Sequence, residues 1–164
     1  MSAYLVPKAS DEIQTKFVEF LNDYMTDPYE QATNKKRATF VYGDDFKLVA
    51  IFPKIHVSLA DFTPTKISTQ SKTTYLEEEE HHFMIYYYNQ RGHRFTFDNG
   101  STLIDEAQCR KFLQEIRNKV KANADYFDDY CHNITFGTIP KPIVNLATST
   151  FFSVLPIVVY TYKR

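Results

Sequence analysis

The chain contains no tryptophan, and only two cysteines, four glycines and seven prolines in 164 residues. So little glycine and proline excludes a collagen-like or low-complexity chain. The two cysteines, Cys109 and Cys131, lack the spacing of a metal-binding pair. Their scarcity argues against a disulfide framework and fits a reducing compartment. Net charge is nearly absent as well, −1 at neutral pH, with the lysines and arginines scattered. Strong phosphate binding draws on clustered positive charge, so nucleic acid is disfavoured as a direct partner, with Lys35-Lys36-Arg37 as the local basic patch. Met1–Pro7 has no basic region followed by an apolar run, so no signal peptide is expected. A clean membrane-length apolar run is missing too. Residues 143–160 are mostly apolar, but Asn145, Thr148, Ser149, Thr150, Ser153 and Pro156 interrupt them. Their β-branched and aromatic content predicts strand rather than a membrane helix.

What the chain does have is aromatic bulk. Hydrophobic residues make up 43% and aromatics 16%, with 14 Phe and 12 Tyr. That is enough apolar material for one domain with a proper core, and tyrosines add polar tips suited to interfaces. No internal repeat or linker divides the chain.

Periodicity predicts the elements. Residues 11–24 carry Ile13, Phe17, Phe20, Leu21 and Tyr24 on one helical face. Ser10 is the expected N-cap, and Pro28 the sign that the helix is over. Residues 29–37 read as a polar loop. Strands at 38–42 and 46–52 flank Gly43-Asp44-Asp45, which reads as a hairpin. Pro53 marks a bend or sheet edge, and Ile55, Val57 and Leu59 alternate as in a half-buried strand. Residues 63–74 are polar and Ser/Thr-rich, a long exposed loop or hairpin tip. Within 75–90 the second half is strand-like, 89–92 is a turn, and 93–97 returns as the partner strand. A turn at 98–100 leads to a second helix, 105–121, with Cys109, Phe112, Leu113, Ile116 and Val120 on its apolar face. Asp105 and Glu106 at its start and Arg117, Lys119 and Lys121 at its end match the helix dipole. An acidic, tyrosine-rich connection (122–131), a strand at 132–136 and a last strand at 151–162, broken by Pro156, complete the chain. This order indicates a single α+β domain: an antiparallel or mixed sheet with two main helices packed on it.

Few motifs suggest chemistry. Tyr42-Gly43-Asp44-Asp45 looks like the aspartate pair of a polymerase palm, which would hold Mg²⁺. A palm also needs fingers and a thumb, for which 164 residues leave no room. Turn chemistry between two strands explains the same residues. Glu77, Glu78, Glu79 and Glu80 precede His81-His82. Adjacent histidines on a strand point to opposite faces and cannot easily share an ion, and no recognised spacing links them to His56, His93 or His132. The run reads as a solvated acidic lead-in to a strand that could also face a basic partner surface. Cys109 lies on the apolar face of a helix and reads as core. Cys131 and His132 are neighbours in sequence, which alone does not set up a nucleophile. There is no G-x-S-x-G turn, Walker A loop or G-x-G-x-x-G. No enzyme, cofactor or metal site is therefore expected; the weaker alternatives are a metal-dependent nuclease of the D…E-x-K type, for which no E-x-K triplet follows a strand aspartate convincingly, and a metal-dependent enzyme using Asp44 and Asp45. In Tyr86-Tyr87-Tyr88, alternation puts Tyr86 and Tyr88 on one face and Tyr87 on the other. They read as core and interface rim, with base stacking as the alternative.

The layout of an amphipathic helix, "FPKIHVSLADF" (52–62), a polar excursion, "HHFMIYYYNQRG" (81–92), the helix "DEAQCRKFLQEIRNKV" (105–120) and the closing "FFSVLPIVVYTYKR" (151–164) resembles the tail-terminator and tail-completion proteins of tailed viruses. The resemblance spans nearly the whole chain as a pattern of elements, and its 122–150 segment is long for the family. It implies a small α+β virion protein, assembled in the host cytoplasm into a homo-oligomeric ring, commonly a hexamer. The ring would sit at the head-proximal end of the tail, touching other tail or neck proteins. DNA would pass its lumen without specific binding, and no membrane is involved. Under that reading Lys66, Gln70 and Lys72 of the polar excursion and Glu77, Glu78, Glu79 and Glu80 are the expected contact residues. The alternative function is a small viral or plasmid nucleic-acid-binding or processing protein using the tyrosine strand and the Lys35–Arg37 patch.

Overall fold

The computed structural model describes residues 9–44, 51–60, 67–71 and 74–163, with the backbone alone for 67–71, 74–78 and 162–163. In chain order the elements are α1 (Ser10–Tyr24), α2 (Pro28–Thr33), β1 (Val41–Tyr42), β2 (Lys54–Leu59), β3 (Ile67–Ser71), β4 (Thr74–Gln90), β5 (Phe95–Thr96), β6 (Thr102–Leu103), α3 (Asp105–Ala122), a 3-10 helix (Ala124–Phe127), β7 (Asn133–Phe136), β8 (Ile143–Asn145) and β9 (Thr150–Lys163). The fold is α+β. The mixed sheet runs β1-β2-β4-β9-β7, with β3 added to β4 and β8 to β9.

Two long antiparallel strands organise the sheet. β4 pairs β9 from Glu77↔Lys163 to Gln90↔Thr150. On its other side β4 takes β3 along its first half and β2 along its second. Because strand side chains alternate, one face carries Ile55, Val57, Phe83, Ile85, Tyr87, Leu155, Ile157 and Val159, all buried. α1 covers this face with Ile13, Phe17, Phe20 and Leu21, and α3 with Cys109, Phe112, Leu113, Ile116 and Val120. Phe17 meets Phe83 at 5.8 Å, and Phe112 stacks on Tyr87 at 4.1 Å. These are the apolar stripes that the helical spacing predicts, except that Tyr24, stacked on Phe20 at 4.5 Å, stays exposed.

Several boundaries differ from expectation. Ser10 does not cap α1: Ala9 holds the cap position, its N–H donates to the Glu12 carboxylate at 3.0 Å, and the Ser10 hydroxyl bonds to His81 instead. Pro28 opens α2 rather than merely closing α1, because a first-turn proline lacks only an N–H that has no helical partner anyway. Asp27 caps that helix through the Tyr29 N–H, so 29–37 is not all loop. Of 38–42 only Val41–Tyr42 is strand, and it pairs in parallel with β2. Its expected hairpin partner falls largely on residues 45–50, outside the described residues. Of the two forms expected for 63–74, a loop or a hairpin tip, the described residues 67–71 take the hairpin, pairing with 74–78. The glutamate run lies inside β4 rather than before it. Residues 93–97 do not pair with β4. Phe95–Thr96 joins Thr102–Leu103 in a separate small sheet.

Pro156 does not break β9. In a strand, a residue's N and C=O face the same neighbour. The Pro156 carbonyl accepts from the Gly137 N–H at 2.8 Å, so its nitrogen also faces outward, away from β4. On that outer edge the pairing of β7 ends at Phe136↔Ile157 and that of β8 starts at Ile143↔Phe152, leaving a gap where a missing donor costs little. Gly137 permits the approach: a Cβ there would lie 2.8 Å from Pro156 Cβ. Gly137→Ala is therefore expected to destabilise the fold by about 1–3 kcal/mol, the usual cost of overpacking. Urea denaturation checks it, and an unchanged midpoint would show that the two strands can part freely.

Candidate functional site

α1 and α3 pack on the face just described, the 3-10 helix adds Phe127 against Phe17 and Phe20, and α2 contacts β5. Among the described residues no helix covers the opposite face. Alternation places there His56, Met84, Tyr86, Tyr88, Phe152, Val154, Val158 and Tyr160, all half-buried. Register brings four rings into a series across three strands. His56 lies opposite Tyr86 and Phe152 opposite Tyr88. Ring centroids are 5.9 Å apart for His56–Tyr86, 6.1 Å for Tyr86–Tyr88 and 5.4 Å for Tyr88–Phe152, all stacked. Burial, and then the neighbouring Tyr86, push the Tyr88 phenol up to about 12. The row is thus largely apolar in character.

Tyr87 is not part of it. It is fully buried, and its hydroxyl donates to Gln108 Oε1 at 2.7 Å. Gln108 also accepts from Asn89 Nδ2 at 2.9 Å and donates to the His93 carbonyl at 2.7 Å. Sequence reasoning missed this polar junction between β4 and α3. Its signal was available, since Gln108 falls one turn before Phe112 on the apolar face of its helix.

The other residues singled out in the sequence are dispersed. Asp44 lies in the turn after β1 and accepts from the Gln14 amide at 3.2 Å, and Gln14 also donates to the Val57 carbonyl at 2.7 Å. That tie anchors the turn to α1, while Asp45 lies outside the described residues. No group of three or more His, Cys, Asp or Glu among the described residues could hold a metal ion. His81 and His82 take opposite faces. His82 meets Glu80 at 3.1 Å beside the aromatic row. His81 is buried, 2.6 Å from the Ser10 hydroxyl and 3.0 Å from that of Thr161. Cys109 and Cys131 are buried thiols, each pushed up by burial to about 12, hence unreactive. Arg37 is withdrawn from the basic cluster by a two-pronged pair with Asp27, so only Lys35 and Lys36 remain exposed there. Of the expected contact residues, Lys66 and Lys72 lie outside the described residues. Gln70 is placed on β3 and Glu77 and Glu78 on β4 by backbone pairing, and Glu79 and Glu80 are half-buried.

Burial lowers the imidazoles of His81 and His93 below their ordinary value of 6.5. At His81, Glu79 opposes the shift and His82 adds to it. Both rings are then neutral in the folded chain where the unfolded chain would bind protons. Stability is fully present above the ordinary value and falls with pH below it, toward the lowered folded values. The urea midpoint is expected to drop between about pH 7.5 and about pH 5, and His81→Gln to flatten part of that slope. A midpoint constant over this window would refute the shifts.

No helix among the described residues is long and apolar enough to cross a membrane. A scan against protein-family models finds no match, and a search of curated proteins finds none either.

Proposed function

We propose that this protein is a structural subunit that acts by self-association, without catalysis or cofactor. We further propose that its assembly is a ring of the tail-terminator or connector kind in a virion, seated against other tail or neck proteins, with DNA passing through. One observation carries the reading: among the described residues the helices that pack on the sheet cover one face, and the other presents a continuous aromatic and aliphatic row. Contiguous apolar surface beyond a few hundred Å² is rare on monomers and marks contact sites. Rigid tyrosines and phenylalanines are favoured in such contacts.

Light scattering on a sizing column tests it. The expected mass is a fixed multiple of 19.2 kDa. Tyr86→Thr combined with Phe152→Thr keeps strand propensity while removing the rings. It should shift the protein toward monomer with an unchanged far-ultraviolet spectrum. A wild-type chain that stays monomeric at all concentrations would reject self-association. The stacked rings would then favour the second reading, single-stranded nucleic acid held by base stacking, whose mark is affinity that falls steeply with salt.

A further inference from the structure

β8 is a short outer strand with unusual exposure. Ile143 and Val144 point to opposite faces and are 57% and 41% exposed, and Leu146 just beyond is 82% exposed. Ile143 stands opposite Phe152, which stands opposite Tyr88, so the apolar row reaches this edge. Among the described residues nothing pairs with the outer side of β8. A bare apolar edge strand is a template for another strand.

The exposed charge nearest the strand is basic, although Asp105 at the start of α3 accepts the Gly92 N–H at 2.8 Å beside Arg91 and offsets part of it. Lys141 and Arg91 are exposed at this end, and the Arg91 N–H donates to the Ser149 carbonyl at 2.8 Å. The sequence holds no aspartate or glutamate after Asp129. The far end of the same strands is the reverse. β4 carries Glu77–Glu80 there, and the Ser10–His81 bond brings in the first turn of α1 with exposed Asp11 and Glu12. Lys163 stands opposite Glu77 in the backbone pairing. Thr150 and Thr161 mark the two ends on β9, eleven residues apart, or about 36 Å at ~3.3 Å per residue. One molecule cannot join them; two can.

We infer that the β8 edge, with Lys141 and Arg91 around it, receives the acidic end of a second copy, head to tail. This rests on the self-association reading and specifies its geometry. Such an interface is heterologous, with different surfaces meeting, and it propagates until rotation closes a ring.

Two variants test it. Ile143→Thr with Leu146→Ser disables the β8 edge at exposed positions. Glu79→Lys with Glu80→Lys disables the acidic end, and Glu79→Gln with Glu80→Gln serves as a milder version should the reversal unfold the chain. Each variant alone should be monomeric. Mixed, they should form a 1:1 dimer that grows no further, because just one intact pair of surfaces remains, and added salt should dissociate it. If either variant alone assembles as the wild type does, or the mixture stays monomeric while the wild type assembles, the head-to-tail inference fails and the broader reading survives. A wild type that never assembles removes both.

Discussion

Asp27→Ala is expected to lower folding stability by about 3–5 kcal/mol, the range for removing one partner of a buried ion pair. The carboxylate is almost fully buried and does two jobs. Its oxygens meet Arg37 Nε and Nη2, each at 2.7 Å, and Oδ1 accepts the Tyr29 N–H at 2.9 Å to cap α2. Arg37 in turn donates to the carbonyls of Ile51 and Pro53, tying the 34–40 segment to the chain leading into β2. Without Asp27 the guanidinium keeps its burial and loses its counter-charge, while α2 loses its cap. A double-mutant cycle with Arg37→Met separates these effects. The double variant should be less damaged than the sum of the singles. Strict additivity would mean that the pair is not coupled, and a loss for Asp27→Ala below about 1 kcal/mol would place it with ordinary surface pairs.

Phe112→Ala should cost a similar amount, about 3–5 kcal/mol. Phe112 is completely buried on α3. Its ring lies parallel to Tyr87 at 4.1 Å and meets Phe95 edge-on at 5.3 Å. It therefore joins the helix to the main sheet on one side and to the small sheet on the other. Truncation would open a cavity that rigid aromatic neighbours cannot readily fill. Thermal unfolding should move well below the wild type, with Phe112→Leu intermediate. An alanine variant within about 1 kcal/mol would indicate that the small sheet collapses into the space, as the cost depends on how far the site can relax.

The helices were legible because their cause is local. Ile13, Phe17, Phe20 and Leu21 repeat at helical spacing, as do Cys109, Phe112, Leu113 and Ile116, and each stripe needed only some sheet to cover it. The alternation through 83–88 likewise announced a strand, and with it the opposite destinies of Tyr86 and Tyr87. Strand partners were a different matter. Proximity in sequence pointed from 81–90 to 93–97, yet β4 pairs with β2 before it and with β9 near the end of the chain. Pairing is chosen by which strand presents a matching buried face, and that quantity is spread over the whole chain.

The sequence by itself determined the α+β class, the two main helices and the inward faces of the principal strands, because periodic apolar spacing dictates which side must leave water. Tertiary structure alone decided which polar groups are buried. Arg37 became a structural cation because the chain folds it against Asp27, and Gln108 became a junction because Tyr87 and Asn89 converge on it. It also decided that both helices fall on one side of the sheet, leaving Tyr86, Tyr88 and Phe152 on the other. A strand's pattern states that a face is apolar; only the packing of distant elements settles whether that face is covered within the chain or left for another molecule.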